Sequence, residues 1–120
     1  MNKLGSLLYS YKNKKVKHIN IKINNETIAV NFPENDIIEF SGVKSFLFVE
    51  DDNIEVKENH LSSIEFLKDG FAEFVSYEDE FEEVFASPNF ALDFIDRSLL
   101  IEAKSINIGG IKINLNKIEN

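Results

Sequence analysis

Apolar residues return at Leu4, Leu7, Leu8 and Tyr11, a spacing of three and four that marks one face of a short helix. Lys12, Asn13, Lys14 and Lys15 follow, where cations favour a helix C-terminus. A helix this short is marginal alone, so its apolar face must dock. From Val16 the period drops to two. Ile19, Ile21 and Ile23 alternate with polar residues, and Ile28, Val30 and Phe32 repeat the alternation. A turn centred on Asn25-Glu26 would set Ile23 against Ile28, Ile21 against Val30 and Ile19 against Phe32, with all six on one face. Glu26 suits the positive φ of such a tight turn less well than Gly.

The polar stretch 33–36 breaks that second strand. Residues 37–40 and 43–49 read as short strands divided at Ser41-Gly42, and 50–53 as a polar loop, with Ile54 and Val56 either a brief strand or a loop anchor. Segments 61–67 and 71–77 flank Lys68-Asp69-Gly70, a three-residue hairpin loop with Gly70 in the left-handed region. That hairpin would oppose Leu67 to Phe71, Ile64 to Phe74 and Glu65 to Glu73. Phe81, Val84 and Phe85 have helical spacing before the stop at Pro88, so 78–90 is open between one helical turn and an irregular strand. Segments 90–94 and 99–103 read as strands. Ile106 and Ile108 face Ile111 and Ile113 across Gly109-Gly110, a favoured hairpin turn. The expected fold is mainly β, with roughly nine to ten strands by these pattern rules. An N-terminal helix precedes antiparallel hairpins that form a curved sheet, sandwich or flattened barrel.

A length of 120 residues suits a single domain, 1–120, and no linker or repeat divides it. The chain has no Cys, which excludes disulfides and thiolate metal sites and fits a cytoplasmic location. No apolar run approaches the roughly 20 residues of a membrane span, and 1–11 lacks the apolar core of a signal peptide. The net charge of −8 is unevenly spread: residues 1–25 carry +6, 26–102 carry −16 and 103–120 carry +2. Acidity of this kind disfavours contact with a nucleic-acid backbone and favours a basic protein partner.

Catalytic patterns are missing. There is no phosphate-binding Gly-rich loop, nucleophile elbow or paired-His zinc helix. His18 and His60 are the only imidazoles, and neither has a ligand cluster around it in sequence. The run from Glu50 to Glu55 resembles a calcium loop but has Val56 where Gly is required and Ser62 where the last acidic ligand belongs. No metal or other cofactor is therefore expected. Tyr9 and Tyr11 among the early lysines suggest base stacking, but the helical spacing assigns Tyr11 to the core. Glu78, Asp79, Glu80, Glu82 and Glu83 form the densest acidic run and are the candidate partner-binding residues. Eleven Phe residues read as an aromatic core, or else as the lining of a ligand pocket in a small barrel bounded by Phe40, Phe48 and Phe66.

The stretch from Ile38 through Phe40, Ser41, Gly42 and Val43 to Phe46 resembles a strand pattern of small bacterial proteins. So do Ile64-Glu65-Phe66 with Asp69-Gly70, and Leu100-Ile101-Glu102-Ala103. Several such proteins resemble immunity proteins encoded beside polymorphic toxins. The resemblance implies a non-enzymatic acidic module that occludes a basic toxin or another protein partner. It carries no catalytic residue. A small-ligand-binding β-barrel is the alternative expectation.

Overall fold

The computed structural model describes residues 3–50, 60–70, 74–78, 81–94 and 97–115, with 50, 74–78 and 81–85 described by their backbone alone. Among the described residues one helix, α1 (Lys3–Tyr9), leads into twelve strands. These are β1 (Lys14–Lys15), β2 (His18–Lys22), β3 (Thr27–Asn31), β4 (Ile37–Ser41), β5 (Ser45–Glu50), β6 (His60–Phe66), β7 (Phe74–Glu78), β8 (Phe81–Ala86), β9 (Phe90–Phe94), β10 (Arg97–Glu102), β11 (Ser105–Ile108) and β12 (Ile111–Asn114). Two antiparallel five-stranded sheets result. The first has the order β1-β6-β9-β10-β5, the second β12-β11-β4-β3-β2, and β7-β8 is a separate two-stranded ribbon.

The sheets pack face to face and do not close into a barrel. Phe40 of the second sheet meets Phe90 of the first edge-on at a 4.9 Å ring separation, and Phe66 packs on Phe90 at 5.0 Å. Ile28, Val30, Ile38 and Ile106 from one sheet and Leu61, Leu92, Leu99 and Ile101 from the other complete a continuous core. The helix docks as its spacing requires. Leu4, Leu8 and Tyr11 are buried, and α1 lies against β6.

The chain passes from one five-stranded sheet to the other between β1 and β2, between β4 and β5, and between β10 and β11. The last two crossings run side by side. Lys44 N donates to Glu102 O at 2.8 Å, and Lys104 N donates to Ser41 O at 3.1 Å. Gly42 takes φ +62° there, and a Cβ on it would stand 2.9 Å from the Lys104 Cβ. The Asn89 side chain holds the same corner from below. Its amide nitrogen donates to Ala103 O at 2.9 Å, and its oxygen accepts from Ala103 N at 3.1 Å.

Three expectations are corrected. In the first hairpin the register moves by two residues, with Ile19 opposite Val30 and Ile21 opposite Ile28. Residues 23–25 form a 3₁₀ turn closed by Glu26 at φ 54°, so one residue rather than two bears a positive φ. The cost is that Ile23 leaves the apolar face and is 76% exposed. The second correction concerns 61–77. The turn at Gly70 forms, at φ +89°, but β6 does not pair with β7: β9 takes one flank of β6, β1 covers His60 and Leu61 on the other, α1 lies against β6, and β7 pairs with β8. The turn docks instead on 87–89, where Leu67 N donates to Asn89 O at 3.0 Å. Third, the strand count among the described residues exceeds nine to ten, partly because Phe81–Ala86 is a strand and not a helical turn: β8 pairs with β7, setting Tyr77 opposite Glu82 and Ser76 opposite Glu83. The last hairpin has the expected register, with Ile106 opposite Ile113 and Ile108 opposite Ile111.

Candidate functional site

The acidic run falls on the ribbon. Glu78 ends β7, Glu82 and Glu83 lie on β8, and Glu78 stands opposite Phe81. Asp79 and Glu80, between the strands in sequence, lie outside the described residues. Strand alternation puts Glu82 and Glu83 on opposite faces of the ribbon. Glu78, Glu82 and Glu83 belong to an element that is part of neither sheet.

A second surface was not read from the sequence. β5 is an edge strand, and all four of its central residues are apolar and substantially exposed: Phe46 39%, Leu47 41%, Phe48 38% and Val49 50%. Phe46 and Phe48 lie opposite the fully buried Ile101 and Leu99, so they are on the core-facing side. Assigning them to the interior was correct for the face and wrong for the burial, since an edge strand is covered from one flank only. The other outer strands of the two five-stranded sheets each carry Lys. β1 consists of Lys14 and Lys15, β2 ends at Lys22, and β12 contains Lys112. Lys on an edge blocks unwanted strand pairing, and β5 has none. The unbroken apolar run 46–49, without alternation, is the sequence signal that marks it.

The Phe-lined void does not form among the described residues. Phe40 and Phe66 both contact Phe90, and Phe48 is at the edge. Phe32 packs on Tyr11 at 4.8 Å, and Phe94 is buried; Phe71 lies outside the described residues. An apolar surface groove of about 550 Å³ lies between α1 and β6, lined by Leu4, Leu8, Phe66 and Leu67 among others.

The imidazoles are far apart in the topology: His18 starts β2 of the second sheet and His60 starts β6 of the first. No group of His, Cys, Asp or Glu able to hold a metal ion occurs among the described residues. The calcium-like run begins at the last residue of β5, and its remaining acids lie outside the described residues. Tyr9 is exposed under Lys12, whereas Tyr11 is buried and its O–H donates to Asp36 at 2.7 Å. Burial pushes the Tyr11 hydroxyl well above its ordinary value, and the bond to Asp36 and its negative charge act in the same direction. Lys14 reaches the other Asp36 oxygen at 3.3 Å and sits 4.4 Å over the Tyr11 ring. This is a structural clasp between α1 and the loop before β4. Asp93 accepts from Ser63 and Ser98 across three strands, with no basic group in that set to activate either hydroxyl.

No curated protein and no solved structure matches the chain. A family model described as YxiG-like protein matches residues 4–113, and the chain belongs to that family.

Proposed function

We propose that the protein is a non-enzymatic binding module whose acidic ribbon occludes a basic protein partner, in the manner of a cytoplasmic immunity protein that neutralises a toxin. The observation that supports this reading is the location of the acids. Five of the six residues 78–83 are acidic, and Glu78, Glu82 and Glu83 stand on a ribbon belonging to neither sheet. Like charges gathered on one element raise the local field and steer an oppositely charged protein toward it. Binding is the test. The tagged chain serves as bait in an extract of its native host, beside a Glu80→Gln/Glu82→Gln/Glu83→Gln variant. The expected result is a basic protein retained by the wild type, released by about 0.5 M salt, where charges are screened beyond a few ångströms, and depleted with the variant. A partner held equally by both baits refutes the role of the ribbon.

Absence of catalysis belongs to the same reading. A broad hydrolase screen should find no activity that a His18→Ala/His60→Ala variant loses. The competing small-ligand reading now draws on the groove between α1 and β6 rather than on a barrel interior. An apolar dye that saturates at one site per chain, in wild type and Gln variant alike, would favour it.

A further inference from the structure

The unguarded edge has a self-complementary sequence. In an antiparallel pair, directly opposite residues share a face. Two copies of β5 related by a two-fold axis can therefore pair only in registers centred on a single residue. Centred on Leu47, the register sets Phe46 opposite the second copy's Phe48, Ser45 opposite Val49 and Lys44 opposite Glu50, each twice by symmetry. Ring meets ring on the core-facing side, and opposite charges meet at both ends. Centred on Phe48, the register instead sets Phe46 opposite Glu50, an apolar ring against a charge. Lys44 is available for the cross-copy contact: it is largely exposed, and its separation from Glu102, 4.0 Å, is at the limit of an ion pair.

We propose that the protein forms a homodimer through β5, pairing antiparallel with β5 of a second copy in the register centred on Leu47. The two copies of the first sheet then become one continuous sheet, and Phe46 and Phe48 of each copy gain the second flank that an edge strand lacks. β5 and the ribbon are separate elements. The inference does not depend on a basic partner.

Sedimentation velocity over a wide concentration range tests it. The wild type should shift from monomer to dimer as concentration rises. Leu47→Lys, which places an edge-guarding cation on the outer face, should remain monomeric with an unchanged thermal midpoint. Lys44→Glu and Glu50→Lys should each weaken the dimer roughly tenfold, because each substitution opposes like charges at both ends. The double swap Lys44→Glu/Glu50→Lys should recover most of the loss. Glu50→Lys serves as the check on Lys44→Glu, which also disturbs the contact with Glu102. A wild type that stays monomeric at every concentration overturns the proposal. So does a dimer unaffected by Leu47→Lys, or single swaps that the double swap does not rescue.

Discussion

At Tyr11 one side chain serves both packing and polarity. Its ring lies on Phe32 in the core while its O–H donates to Asp36. Removing that hydrogen bond by Tyr11→Phe should cost about 1 kcal/mol near neutral pH, read from urea denaturation. The pH dependence has a definite sign. The folded state holds the phenolic proton more firmly than the unfolded chain does. The contribution is therefore complete below pH ~10 and is lost as pH rises toward the folded-state value. The stability gap between wild type and Tyr11→Phe should narrow above about pH 10; a constant gap would show that the bond to Asp36 does not set it. Asn89 is the residue the sequence hid best. It reads as a helix or turn stop after Pro88, yet it makes two bonds to the backbone of one buried residue, Ala103. Asn89→Ala strands both groups and should cost about 2 kcal/mol. A loss below a few tenths would mean that water replaces the amide. Nothing in local sequence reveals such a contact, because its partner lies 14 positions away.

Among the elements, legibility followed distance along the chain. The Gly109-Gly110 hairpin was readable down to register, since both glycines take positive φ and the flanking isoleucines alternate. The β2-β3 pair was readable in period but not in register, because the choice between a two-residue and a longer turn was decided at Glu26. The partner of β6 was not readable. A good turn at Gly70 suggested the next strand, but β6 pairs along its length with β9, distant in sequence, and β7 pairs with β8. The paired crossings were half visible: Ser41-Gly42 marked a break, and only the fold places Lys104 against Gly42. A Gly42→Ala substitution must keep φ +62° and fit a Cβ against the Lys104 Cβ. The expected loss is about 2 kcal/mol, seen as a lower thermal midpoint with native circular dichroism. A melting curve unchanged from wild type would mean that the two crossings can separate without cost.

For the whole molecule, charge and edges give different kinds of information. Fold class and core followed from alternation, because burial of one sheet face leaves a period of two in the sequence. The candidate binding surfaces did not follow as directly. The acidic run was visible as composition, but its location on a ribbon outside both sheets depends on strand pairing. The β5 edge was hidden because four consecutive apolar residues look like interior until strand order puts them on the rim. An apolar edge offers backbone hydrogen bonds and burial, while an acidic ribbon offers long-range attraction that salt removes.

Attraction of that kind acts on the rate of encounter. The most direct measurement is stopped-flow association of the chain with its captured basic partner across a salt series. Wild type should associate quickly at low salt, approaching about 10⁸ M⁻¹s⁻¹, and slow steeply as salt is added. The Glu80→Gln/Glu82→Gln/Glu83→Gln variant should associate more slowly and with a flatter salt dependence, at unchanged folding stability. Identical rates and identical salt slopes for the two proteins would contradict the account and place the interface away from the ribbon.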